Sequence, residues 1–280
     1  MADNNTGTLF HFTKDLSTLK KILKEGFRVT YCKEYFGNSF MGIPMVSFCD
    51  IPLSRTDQHT KDYGKYVIGL DKEKLLANKN IPYLNPVIYC HSEILANSLN
   101  SYKKEFERIQ TELAQSIQDT EHPMVKMVRK GSVGAALGML SRSAQAKYLS
   151  NSLLGFTKPY SGDGKNGKKI IFYNEREWRF VIPEGLGIEI EGKECKWLNE
   201  KEYNEWRGDK SLPKKLFNAI LPIGIEYITH LIVERERTID LLINYIWKSK
   251  YLLGQNIEDE SKKRILISKI TSFQRIRQDF

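Results

Sequence analysis

Cysteine is scarce and scattered in this sequence: Cys32, Cys49, Cys90 and Cys195 are its whole complement, and no two form a CxxC pair. That excludes a zinc ribbon and a disulfide scaffold, and predicts reduced, partly buried thiols. The five histidines, His11, His59, His91, His122 and His230, are equally dispersed and fit no HExxH spacing, so no metal site is expected. No hydrophobic run approaches the ~20 residues that a membrane-spanning helix needs. The start, Met1 to Thr6, lacks the basic-then-apolar order of a secretory signal. A cytoplasmic protein with no membrane partner is the expectation. Internal repeats and low-complexity tracts are also missing, which excludes a solenoid.

What is present is an ordinary folding composition, 41% hydrophobic and 28% charged over 280 residues. The 43 basic residues exceed the 34 acidic ones, leaving +9 at neutral pH. Such a surplus favours an acidic partner: nucleic acid, a nucleotide or an acidic protein. Composition does not tell whether it forms a patch.

Along the chain, Thr8 to Thr13 is expected to be extended and Leu16 to Glu25 helical, since Asp15 can cap and Leu16, Leu19, Ile22 and Leu23 recur at helical spacing before Gly26. Pro44 to Cys49 and the alternating Tyr66 to Leu70 read as strands joined by a polar segment containing Ser54 to Tyr63, and Pro86 to Tyr89 as an edge strand. Residues 92–150 change character: Ile94, Leu95, Leu99, Phe106, Ile109, Leu113 and Ile117 recur near helical spacing, a helical insertion or hairpin. Residues 159–169 form a flexible Gly/Lys-rich loop. Strands resume at Lys169 to Tyr173, Glu177 to Ile182, Gly187 to Glu191 and His230 to Val233; Glu236 to Lys248 is helical, and a last strand is placed at Arg264 to Ser268. The whole, 1–280, is expected to be one α+β domain with a mixed β-sheet.

Several motifs compete. Gly162 to Gly167 has the letters of a GxGxxG fingerprint, but a strand follows where a helix should open, so the dinucleotide reading fails on context. Glu189, Glu191 and Lys193 resemble the acidic and lysine half of a metal-dependent nuclease, without a partner aspartate on an adjacent strand. His59 reads as a residue of a solvated loop. The stronger constellation is distributed over three strands: His11 and Thr13, Ser47, and Glu175 with Glu177. At period two each pair shares a face, so all can point into one cleft. Each also has a structural account: His11 as a core histidine, Ser47 as a small packing residue, Glu177 as half of a surface salt bridge with Arg179.

The order Phe10-His-Phe-Thr13, Leu19 to Gly26, Val46-Ser-Phe-Cys49, Tyr66-Val-Ile-Gly-Leu70 and Asn174-Glu-Arg-Glu-Trp178 resembles the ADP-ribosyltransferase superfamily, over less than half the chain. The combination of Leu9 to Thr13, Ser47-Phe-Cys-Asp-Ile-Pro-Leu53, Tyr66 to Leu70, Asn85-Pro-Val-Ile-Tyr89 and Tyr173 to Arg179 resembles, over most of it, the AbiGi family. These are bacterial abortive-infection proteins of anti-phage defence, described as antitoxins paired with a nucleotidyltransferase-like toxin.

The transferase resemblance implies an ADP-ribosyltransferase-like sheet and NAD as substrate. It also implies roles. His11, beside Thr13, would hold a ribose hydroxyl, and Ser47 would orient Glu177. Glu177 would stabilise positive charge as nicotinamide leaves. Glu175 would orient or deprotonate a protein or nucleic-acid acceptor. Ser47 stands where one branch of the superfamily stacks a tyrosine on nicotinamide, and Tyr31, Tyr35 or Tyr66 is left to supply that surface. The AbiGi resemblance implies instead an antitoxin that binds a cognate toxin. A transferase, a non-catalytic antitoxin and, third, a nuclease therefore stay open at the level of sequence.

Overall fold

The computed structural model describes residues 6–36, 39–92, scattered positions between 94 and 112, residues 138 and 151, 153–163, 169–183, 189–190, 193–194, 196–211 and 219–279. Its centre is an eight-stranded sheet. The strands are β1 (Thr8–Thr13), β2 (Thr30–Phe36), β3 (Ser39–Cys49), β4 (Tyr66–Asp71), β5 (Leu84–Pro86), β6 (Glu177–Val181), β7 (Ile228–Val233) and β8 (Ile270–Ser272). Their order is β8-β7-β4-β1-β3-β6-β5, with β2 also on β3. Every pairing is antiparallel except β7 with β8, so the protein is α+β with a mainly antiparallel sheet.

Adjacent residues of the central strands enter different cores, as alternation requires. Leu9, Ile68 and Leu231 belong to the main cluster, whereas Phe10, Val67 and Ile232 belong to a second one with Phe273. Both faces of the sheet are thus covered, and its central strands are mostly apolar. On the first face lies α1 (Leu16–Glu25), which buries Leu19, Ile22 and Leu23, each contributing about 1.5–3 kcal/mol. Asp15 caps it by accepting from the Thr18 N–H. Gly26 ends it at φ +84°, and its N–H donates to the Ile22 carbonyl. Leu242 and Ile246 of the helix Ile239–Lys248 and Leu266 of the helix Glu260–Ile267 join the same core, while the helix Phe273–Asp279 brings Phe273 to the other face.

β1 and α1 occupy the residues that the capping and spacing predict. The strand expected at Arg264 to Ser268 is a helix instead: Asp259 accepts from the Ser261 N–H and starts it one turn earlier, and the strand follows at Ile270. The segment after β3 is a 3₁₀ turn, Leu53–Arg55, followed by α2 (Asp57–Asp62). Short ribbons flank the sheet. Ile88–Cys90 pairs in parallel with Thr157–Pro159, and Ser161–Asp163 pairs with Lys169–Ile171, forming the two ends of the Gly/Lys-rich segment. The described positions from 94 to 112, and residue 138, are helical; most of the remainder of the expected insertion lies outside the described residues. Among the described residues, no helix is long and apolar enough to cross a membrane.

Candidate functional site

The long strand β3 is shared. Met45 pairs with Val181 of β6 and with Thr30 of β2, so these two strands lie on opposite edges; Cys49 likewise pairs with Glu177 of β6 and Phe10 of β1. β1 and β2 therefore line the same edge of β3 and part from each other across Val46 to Phe48. In that gap the His11 ring takes the place of a strand, its Nδ1 lying 2.8 Å from the Ser47 carbonyl oxygen. Since a carbonyl only accepts, Nδ1 carries the proton. Phe27 and Phe48 hold the ring, with centroids 5.3 and 5.7 Å away. A cleft of about 240 Å³ opens here, its lining including His11, Ser47, Glu175 and Glu177 together with Glu34, His59 and Lys158.

Along one wall runs a buried chain of charges. Lys158 Nζ donates to Glu175 Oε2 at 2.7 Å and to Glu177 Oε2 at 2.8 Å. Arg179, with no exposed surface, donates from Nε to Glu177 Oε1 at 2.8 Å, from Nη2 to Glu34 Oε2 at 2.8 Å and from Nη1 to the Gly155 carbonyl at 3.0 Å. Tyr63 caps the far end, its hydroxyl 2.8 Å from Glu175 Oε1. The Tyr89 hydroxyl accepts from the Glu177 N–H at 2.7 Å, at the point where β6 begins.

The two glutamates reach Lys158 by an unexpected route. Glu175 lies in a 3₁₀ turn, Phe172–Glu175, and Arg176 at φ +43° turns the chain into β6. The left-handed residue does what strand alternation was expected to do, because a carboxylate two residues upstream in a continuous strand would extend β6 and leave no turn over the cleft. Glu177 and Arg179 do form the salt bridge that the sequence allows, but in the interior.

Burial and charge oppose each other in this cluster. Burial alone would raise Glu177, yet the attraction of Arg179 and Lys158 prevails and holds it well below the usual carboxylate range. Burial raises Glu34, and Arg179 does not reverse it because Glu177 shares that guanidinium. Burial would lower Lys158, but Glu177 and Glu175 keep it charged. The Cys32 thiol is pushed up to about 12 by burial and by Glu34, so it is no nucleophile at neutral pH. His59 is lowered by burial and is neutral.

Of the six residues singled out from the sequence, His11, Ser47, Glu175 and Glu177 meet at the cleft. Thr13 and Tyr66 do not line it: they face each other across β1 and β4, and the Thr13 hydroxyl donates to the Tyr66 carbonyl at 3.2 Å. Tyr31 packs on Trp206 and Tyr35 on Phe40, so neither supplies a stacking surface in the cleft. His59 is a correction: α2 buries it against Phe12 and Tyr63, where a solvated loop was expected. Sequence reasoning missed Lys158, Glu34 and Tyr63. Only the surplus of polar residues in apolar surroundings, Glu34 between Cys32 and Phe36 for instance, could have marked one of them. Glu189 and Lys193 sit on a separate two-residue ribbon, and no group of three metal-ligating side chains gathers among the described residues.

Fold and site define an α+β protein organised around a cleft whose carboxylates contact internal cations. The chain belongs to the AbiGi family, whose model, that of an abortive phage resistance protein with the added description antitoxin, matches residues 20–218. It is 27% identical over 283 residues to the abortive phage resistance protein AbiGi of Lactococcus lactis subsp. cremoris, covering 93% of this chain and 94% of that protein. The family resemblance read from the motifs is thereby confirmed, and with it a place in abortive infection against phage. No solved structure matches the chain.

Proposed function

We propose that this chain acts in abortive infection as the antitoxin, binding and restraining a cognate toxin without turning over a substrate. The observation that carries this reading is the commitment of Glu175 and Glu177: each already contacts a buried cation, Lys158 for both and Arg179 for Glu177. Stabilising a carbon that turns positive requires an anion aimed at it and not spent elsewhere. The cleft's 240 Å³ is also below the ~300–1,000 Å³ usual for small-molecule sites, and a dinucleotide needs the upper part of that range. The family description supports the same role. The test pairs two measurements. Co-expression with the nucleotidyltransferase-like toxin implied by the family should restore growth and give a co-eluting complex, while the purified chain should release no nicotinamide from NAD. Nicotinamide release, or unrelieved toxicity, would overturn the proposal.

A second reading, an ADP-ribosyltransferase-like fold acting on NAD with a protein or nucleic-acid acceptor, draws support from the gathering of His11, Ser47, Glu175 and Glu177 from separate elements around one cleft. On this reading Lys158 must leave Glu177 before a ribose hydroxyl can reach it. Saturable NAD binding that His11→Ala weakens, with transfer abolished in Glu177→Gln, is the result that would establish it.

A further inference from the structure

We infer that the cleft between β1 and β2 is a receptor for one cationic group, a guanidinium or ammonium carried on a short aliphatic arm. Among the described residues three carboxylates, Glu34, Glu175 and Glu177, border it against two internal cations, Lys158 and Arg179, so one negative charge is left over once the pH exceeds the raised value at which Glu34 ionises. The surplus is local to Glu34. Its Oε2 accepts from Arg179, while its Oε1 accepts from no described residue, on a side chain only 15% exposed.

A second observation points the same way without any carboxylate. His59 is nine-tenths buried and lines the cleft beside the rings of Phe12 and Tyr63, and no described group hydrogen-bonds either ring nitrogen. A ligand or water in the cleft can complete the hydrogen bonding of its ring nitrogens. Kept neutral by burial, the imidazole offers an acceptor nitrogen to an incoming N–H. The Ser47 hydroxyl, whose contact is the weak one to Met45 Sδ at 3.6 Å, is a further acceptor on the same lining. Phe12 and Phe48 supply apolar walls and ring faces for a cation.

The alternatives fit less well. A phosphate or a carboxylate would meet the surplus negative charge, and the volume, that of about eight waters, admits a guanidinium with a few methylenes and little more. The inference concerns the cleft alone and stands whichever reading of the function holds.

The probe is agmatine, a guanidinium on a four-carbon arm, titrated into the purified chain by calorimetry and by NMR of the His59 ring, with n-butylurea as the uncharged control. Agmatine should bind saturably at one site and shift the His59 ring resonances, while n-butylurea should do neither. Glu34→Gln should weaken binding by about tenfold or more, and His59→Phe, which keeps the ring packing, by several-fold. Unmoved His59 resonances in the wild-type protein, or equal affinity in both folded variants, would overturn the inference.

Discussion

Replacing Lys158 by methionine is the sharpest test of the ion cluster, because the substitution keeps the aliphatic arm and removes only the charge. Lys158 is 13% exposed and its partners Glu175 and Glu177 are 11% and 9% exposed, so solvent replaces little of what is lost. Removing one member of a buried pair typically costs about 3–5 kcal/mol, since the charge left behind stays desolvated. Glu177 keeps Arg179, whereas Glu175 keeps only the Tyr63 hydroxyl, and most of the cost falls on Glu175. A loss of about 3 kcal/mol follows, a large share of the ~5–15 kcal/mol that hold a domain together. At about 2–4 °C per kcal/mol, the thermal midpoint should drop by roughly 10 °C.

The pH dependence fixes the sign. In the wild-type protein Glu177 is held low, so its contribution is present above the unfolded carboxylate value near ~4.3 and is lost as pH falls through the folded value. In Lys158→Met Glu177 keeps Arg179 alone, so less of this contribution is there to be lost, and the gap between the two proteins should narrow as pH falls below ~4.3. Urea melts from pH 7 through that range, with Lys158→Met/Glu175→Gln as the compensated double variant, decide the matter. A Lys158→Met protein within about 1 kcal/mol of wild type at pH 7, or a double variant no more stable than the single, would refute the account.

Glu34 titrates in the opposite sense. With its folded value raised, the native state holds the proton more tightly, so stability falls as pH climbs above ~4.3 through that value. Glu34→Gln should flatten this decline in denaturant melts between pH 4 and 8, and parallel curves would count against the assignment. Gly64 sits at φ +111°, where an added Cβ would fall 2.1 Å from the Thr13 carbonyl oxygen, whereas Gly254 at φ +74° faces open space. Gly64→Ala should cost about 2 kcal/mol or more and Gly254→Ala about 1 kcal/mol. Equal costs by chemical denaturation would mean that backbone conformation alone, and not the collision, matters at Gly64.

The parts of this fold that were legible in the sequence are those fixed by neighbours in the chain. β1 and α1 are bounded by a capping Asp15 and a left-handed Gly26, both local signals. The apolar stretch marks β3 only from Pro44 to Cys49. The strand begins five residues earlier, and Pro44 is kept inside it with its carbonyl accepting from the Ile182 N–H. The site divides along the same line. His11, Ser47 and the two glutamates stand out as polar residues within apolar strands. Lys158 is one of 43 basic residues, and nothing near it in the chain distinguishes it; its partners are 17 and 19 positions away, and Glu34 lies 145 positions from Arg179. A buried ion cluster is a property of three-dimensional proximity. The sequence could therefore indicate where carboxylates gather, but not that cations already occupy them.

That distinction can be tested at the backbone N–H of Glu177. The residue opens β6, its carbonyl accepts from the Val87 N–H, and its own N–H donates to the Tyr89 hydroxyl at 2.7 Å. Tyr89 thus does for the end of the strand what a further strand residue would do, and it fixes where the carboxylate of Glu177 emerges. Tyr89→Phe keeps the ring and its edge contact with Tyr173, whose centroid is 5.4 Å away, but leaves the Glu177 N–H without its acceptor. An unpaired, part-buried amide costs about 1–3 kcal/mol. The amide of Glu177 should then exchange with solvent markedly faster, while those of Arg179 and Phe180 deeper in the strand stay protected. If Lys158 and Arg179 hold the carboxylate from the side-chain end, the ion cluster will survive and the loss of stability will stay near 1 kcal/mol. A loss comparable to that of Lys158→Met would instead mean that the tyrosine, and not the cations, positions Glu177.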